Sequence, residues 1–198
     1  MQCKMRKRIA NLTSNILNPF LVSLVVILLL SFKATPSMVD AFKWWLILVA
    51  LSLLPVYLVI IYLVRSKRIE AFFIPTREQR TKVYLLAGVC AGIGCAILPY
   101  LGAPLILIAA FVTGVSAVVV FMGINLWWKV SIHTAFIAAS VTVLIILYGW
   151  IVAVIIVLVP LVAWAKIELE HHSPAQVATG ALLAASIVVV VFYLFGLV

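Results

Sequence analysis

The chain has 198 residues, 67% of them hydrophobic and only 10% charged, with a mean hydropathy of +1.34. That profile excludes a water-soluble domain with an ordinary polar surface and makes the bilayer the solvent. Lys and Arg outnumber Asp and Glu by 14 to 5, a formal charge of +9, and in a membrane chain this excess marks basic loops facing anionic headgroups rather than a nucleic-acid footprint. In hydrocarbon every backbone amide needs an internal partner. Long continuous apolar runs meet that need as helices, so the expected fold class is an all-α polytopic membrane bundle.

The N-terminus places Lys4, Arg6, Lys7 and Arg8 ahead of an apolar run, the order of a signal peptide. The stretch from Ser31 to Pro36 lacks a small-x-small cleavage site, so the run is expected to stay as a first span. Asn11-Leu12-Thr13 matches a glycosylation sequon, but it falls on the cytoplasmic side of the topology below and reads as a chance match.

A spanning helix needs about 20 apolar residues. Seven candidates follow in chain order: Ile16 to Phe32, Ala41 to Val64, Val83 to Leu98, Leu101 to Leu126, Trp127 to Leu147, Trp150 to Ala165 and Ala175 to Val198. The third and sixth are short and either tilt less or begin inside the flanking polar segments. The connections at Pro99-Tyr100-Leu101-Gly102 and Tyr148-Gly149 are tight and uncharged, which predicts antiparallel hairpins. Pro55 and Pro160 are expected to kink their spans, and Gly88, Gly92 and Gly94 predict close helix packing. Trp44-Trp45, Trp127-Trp128, Trp150 and Trp164 stand near span ends and read as interfacial belts. Cys90 and Cys95 lie five apart on different helix faces, so no disulfide or metal cluster is expected.

With seven spans, the N-terminus, the loop from Arg65 to Lys82, the turn near Lys129 and the loop from Lys166 to Pro174 share one side. That side holds twelve of the 14 cations and leaves only Lys33 and Lys43 opposite. The positive-inside rule makes the crowded face cytoplasmic, with the N-terminus inside and the C-terminus outside an inner cell membrane. A six-span arrangement would break this segregation.

All three histidines lie on that face: His133, His171 and His172. With Ser131, Lys166, Arg77 and Arg80 they form a set able to hold and attack a phosphate: cations neutralise its oxygens, one imidazole acts as nucleophile and another protonates the leaving oxygen. There is no nucleotide loop, no Asp-rich diphosphate motif and no in-span histidine pair at haem-binding spacing.

The order, spacing and sidedness of these residues resemble the type-2 phosphatidic acid phosphatase and haloperoxidase superfamily. Its three motifs are K-x6-R-P, P-S-G-H and S-R-x5-H-x3-D. Glu70, six residues and Arg77 stand at the first, Val130-Ser131-Ile132-His133 at the second, and Ala165-Lys166, five residues, His172, three residues and Gln176 at the third. The likeness covers residues 65–198, a five-helix core, and leaves residues 1–64 as a basic tail with two extra helices.

The resemblance implies His172 as the nucleophile of a phosphohistidine and His133 as the general acid. It implies Ser131, Lys166, Arg77 and Arg80 as holders of the phosphate, and a metal-independent reaction without cofactor. Gln176 stands where the family has Asp and is expected to orient the imidazole, with Glu168, four residues before His172, or the adjacent Glu170 supplying the missing negative charge. Glu70 in place of a cation is expected to pair with Arg77 or Arg80. Two functions follow. One is a lipid phosphate or diphosphate phosphohydrolase, with membrane lipids as surroundings and a phosphorylated lipid as substrate. The other is a lapsed relative serving as a lipid-binding or structural subunit of an oligomer or membrane complex.

Overall fold

A computed structural model describes residues 2–66 and 77–198. Among the described residues every regular element is helical: α1 Gln2–Ile16, α2 Pro19–Ala34, α3 Met38–Arg65, α4 Arg77–Tyr100, α5 Leu105–Asn125, α6 Ile132–Tyr148, a 3-10 stretch Gly149–Val157, α7 Leu158–Glu168 and α8 Pro174–Leu194. By length and composition five helical stretches can cross a membrane, and six can if α1 and α2, bent by 42°, form one broken span.

One of the five, Ile132–Glu168, runs on without a gap in helical backbone, yet it doubles back at Gly149. Val162 of α7 packs against Ile137 and Val141 of α6. A straight helix rising about 1.5 Å per residue would hold these partners roughly 31 to 38 Å apart. The reversal sits on φ 75°, ψ −167° at Gly149, a conformation essentially confined to glycine. Tyr148-Gly149 is therefore a hairpin turn, as its short uncharged sequence predicts. Pro160 lies just beyond the 3-10 stretch, where its missing N–H removes a helical hydrogen bond to the preceding turn.

Several element ends differ from the sequence expectation, each for a local reason. Ile16 closes α1 instead of opening the first span: Asn18 accepts a hydrogen bond from the Leu21 N–H at 3.0 Å, and Pro19 follows at the first helical position, so the backbone restarts there. Trp127 to Val130 lie outside α6, whose cap is Ser131. α4 starts inside the polar segment, which lengthens the short third run to 24 residues. Trp44 is buried, with Lys43 Nζ 5.7 Å from its ring centroid, so it packs within the protein where the sequence suggests a belt residue. Cys90 and Cys95 are free thiols.

The chain divides into two compact units, Met1–Val26 with Lys129–Val198, and Ile27–Trp128. This is a different division from the one at residue 64 drawn from motif likeness. In the second unit α4 packs on α5 and α3. A Cβ on Gly94 would overlap the buried Phe111 ring, at 2.7 Å from Cδ1, and one on Gly88 would lie 3.2 Å from Val118, whereas Gly92 has nothing within 4 Å. Gly88 and Gly94 thus carry the close approach that the glycine pattern predicts, and Gly92 does not. Gly94→Ala is expected to destabilise the chain by about 1–3 kcal/mol through overpacking, with Phe111→Leu recovering part of the loss, read as thermal midpoints of the single and double variants.

In the first unit α6 and α8 form the most extensive pair, α7 packs on both, and α1 lies along α7. The residues before Ile16 thus make a helix docked on α7. As a basic tail, they carried no such expectation.

Candidate functional site

The site grows from three chain ends in the first unit: the start of α6, the end of α7 and the start of α8. α7 terminates in a Schellman turn, in which the His171 N–H donates to the Lys166 carbonyl at 3.1 Å and the Glu170 N–H to that of Ile167 at 2.9 Å. Glu170 takes φ 58° at the position usually held by glycine. Lys129 Nζ donates to the His171 carbonyl at 3.0 Å, fixing the turn from the α6 side.

Two residues on, Ser173-Pro174-Ala175-Gln176 folds into a capping box. Ser173 Oγ accepts from the Gln176 N–H at 3.3 Å, and Gln176 Oε1 accepts from the Ser173 N–H at 3.2 Å. The same Oε1 lies 3.1 Å from His172 Nδ1. An oxygen already accepting from an amide has only lone pairs to offer, so Nδ1 carries the proton and Nε2 presents its own lone pair. Gln176 thereby does the orienting part of a carboxylate's work without its charge.

His172 titrates well below an ordinary imidazole, at about 4. Burial is the largest cause; the charges of Lys129, Lys166 and His171 act in the same direction, and the Gln176 hydrogen bond opposes them. His171 is lowered too, by burial and by Lys166 and Lys129. His172 is therefore a neutral base throughout the physiological range. Its depressed value also means that the folded state loses stability as pH falls from about 6.5, where the unfolded imidazole takes up its proton, towards 4.

Gln176→Leu is expected to free the His172 imidazole and to remove the reciprocal half of the α8 cap. Gln176→Glu keeps the cap and is expected to raise the His172 titration from about 4, because a carboxylate favours imidazolium; ring-proton NMR titrations of both variants check this.

Ser131 caps α6, its Oγ accepting from the Thr134 N–H at 3.5 Å and lying 2.9 Å from Thr134 Oγ1. Its own N–H donates to the Gln176 carbonyl at 3.3 Å, which ties the start of α6 to the first turn of α8. Gly180, one turn further along α8, lets the backbones meet: a Cβ there would sit 2.7 Å from the Ser131 carbonyl oxygen. His133 follows in the first turn of α6, within the electrostatic field of Lys166, His172 and His171. Lys166 is 2% exposed, and its Nζ donates to Ser14 Oγ of α1 at 2.7 Å.

Of the residues named from sequence, the fold gathers His172, His133, Ser131, Lys166 and Gln176 at these ends of α6, α7 and α8. Glu168 instead engages Arg6 of α1 at 3.1 Å, which leaves Gln176 as the partner of His172 Nδ1. Arg77 and Arg80 open α4 in the other unit, with side chains outside the described residues, as is Glu70. Sequence reasoning missed Lys129 as a partner of the histidine loop, Ser14 and Gly180. The start of the last helix near Ala175 was legible from its apolar run; nothing in the sequence pointed to Ser14.

No group of three or more His, Cys, Asp or Glu side chains among the described residues is placed to hold a metal ion. Compared with protein-family models, curated proteins and solved structures, the chain finds no match.

Proposed function

We propose that the chain is a lipid phosphate or diphosphate phosphohydrolase working through a phosphohistidine at the cytoplasmic face of an inner cell membrane. The observation that carries this reading is the His172–Gln176 pair, a neutral imidazole with Nδ1 engaged and Nε2 offered, set beside His133 and three further cationic or imidazole groups, Lys129, Lys166 and His171. The motif likeness to type-2 phosphatidic acid phosphatases supports the same assignment, including the metal-independent chemistry, and the seven-span topology with the N-terminus inside rests on the charge segregation of the loops.

In the reaction, His172 Nε2 attacks phosphorus and the bond from phosphorus to the lipid oxygen breaks. His133 gives its proton to the departing alkoxide, or to the terminal phosphate oxygen of a shorter lipid phosphate when the substrate is a diphosphate. Water then attacks the phosphohistidine, His133 takes the proton from that water, and the P–N bond breaks to release inorganic phosphate and restore His172. Lys166 and Lys129 offset charge on the phosphoryl oxygens, with Arg77 and Arg80 assigned the same role by motif position.

A second reading, the lapsed scaffold, is favoured by two observations. Ser131 is fully buried and spends its hydroxyl on a helix cap, and Lys166 is buried against Ser14. Phosphate release by the detergent-purified protein from a panel of phosphatidate and isoprenoid phosphates and diphosphates, in chelator, separates the two. Turnover is expected; silence from a monodisperse, folded sample would overturn the phosphohydrolase reading in favour of the scaffold.

A further inference from the structure

α1 presents three distinct faces, and only one of them is used by the protein. At about 100° per residue, Met5, Ile9, Leu12 and Ile16 fall within an arc of roughly 60°, and each is at least half exposed. Ala10 and Ser14, both buried, lie roughly 150° away on the side that packs along α7. The arc between them carries Lys4, Arg8, Asn11 and Asn15, all exposed. Packing on α7 therefore does not account for the apolar stripe. A helix bearing Lys4, Arg6, Lys7 and Arg8 in its first two turns is also no candidate for the hydrocarbon core. Its axis leaves that of α2 by 42° at Leu17 and Asn18, so it does not simply prolong the apolar helix that follows.

We infer that α1 is an interfacial helix seated on an anionic lipid leaflet, with Met5, Ile9, Leu12 and Ile16 in the headgroup–acyl boundary and Lys4 and Arg8 on acidic headgroups. The pattern of an apolar stripe flanked by cations is the one that binds such a surface, by apolar burial and by attraction to anionic lipid together. Arg6 and Lys7 are turned towards Glu168 at 3.1 Å and Glu170 at 2.9 Å, so the seated helix also holds the α7–α8 connection, and with it His172, at headgroup depth. The inference is independent of the phosphohydrolase reading, because it concerns where α1 lies and which lipid it prefers.

The test uses the full chain with Cys3→Ser, Cys90→Ala and Cys95→Ala, spin-labelled through Leu12→Cys or, separately, Asn11→Cys, in nanodiscs of phosphatidylcholine alone or mixed with phosphatidylglycerol. In the anionic discs the Leu12→Cys label is expected to be accessible to oxygen and shielded from a water-soluble nickel chelate, at a depth of about 5–10 Å, while the Asn11→Cys label meets the chelate. Lys4→Gln with Arg8→Gln is expected to return the Leu12→Cys label to the shallower position it takes in phosphatidylcholine. The inference is overturned if both labels meet the chelate, if both lie deep in hydrocarbon, or if Leu12→Cys is closed to both reagents as it would be beneath a second copy of the chain. Immersion that ignores both lipid charge and the cation substitutions would likewise overturn the anionic preference.

Discussion

His172→Ala is expected to lower phosphate release by at least about a thousandfold, the scale on which removal of a nucleophile acts when the rest of a site remains. The reason is local. His172 is the imidazole whose Nδ1 is held by a fixed acceptor, Gln176 Oε1, which leaves Nε2 uncharged with its lone pair free at neutral pH. His133→Ala should separate from it by substrate. A lipid alkoxide is a poor leaving group and needs a proton, so the loss on a lipid phosphate is expected at about 10²- to 10⁴-fold. An aryl phosphate such as p-nitrophenyl phosphate leaves without help and should be cleaved by His133→Ala nearly as by the parent protein. Rapid quench into alkaline detergent with ³²P-labelled substrate should trap an acid-labile, base-stable phosphoprotein in the parent chain and none in His172→Ala. Equal loss of both substrates in His133→Ala would remove the general-acid role and leave that residue a structural one.

The second large effect is expected at a residue with no functional group. Gly180→Ala places a methyl group 2.7 Å from the Ser131 carbonyl oxygen, and the atom it meets is backbone, which cannot rotate away as a side chain does. α8 must retreat from the start of α6, and overpacking of this kind costs about 1–3 kcal/mol. The retreat also strains the hydrogen bond from the Ser131 N–H to the Gln176 carbonyl, one helical turn before Gly180, and Gln176 is the residue that holds His172. Stability and turnover should therefore fall together, with the drop in kcat larger than any rise in KM. Gly114→Ala, where a Cβ meets nothing within 4 Å, is the control and should leave both unchanged or raise stability slightly. Thermal midpoints in detergent and steady-state kinetics on the same preparations decide the matter.

The two sets of variants address different links of one chain of causes. The histidine substitutions remove the reacting atoms and leave the packing alone; the glycine substitution leaves every reacting atom in place and shifts the helices that present them. A phosphohydrolase requires both to fail. A scaffold that only binds lipid would tolerate His172→Ala and still be sensitive to Gly180→Ala, so a split result of that kind would point to the lapsed reading.

The membrane character of this chain and its helical class were determined by composition and by run length, because hydrocarbon leaves the backbone no other way to satisfy its amides. The two tight hairpins were also legible, since a turn of Gly with one or two uncharged neighbours between apolar runs has few other solutions: Gly102 and Gly149 both take positive φ. So were the histidines and the start of the last helix near Ala175, since residue identity and the onset of an apolar run are properties of the sequence itself.

What only the tertiary structure decided were the partners drawn from far along the chain. Lys166 and Ser14 are 152 residues apart, and nothing local to either announces the other. Glu168 stands at helical spacing from His172, yet it turns to Arg6 because α1 docks along α7, and Gln176 keeps the imidazole. Gly180 is one of nine glycines in the sequence, and it matters because it is the place where α8 crosses the Ser131 carbonyl. Periodicity and charge describe what each helix can do by itself, whereas the contacts that position a side chain depend on which helix faces it, and that is settled by the packing of the whole unit.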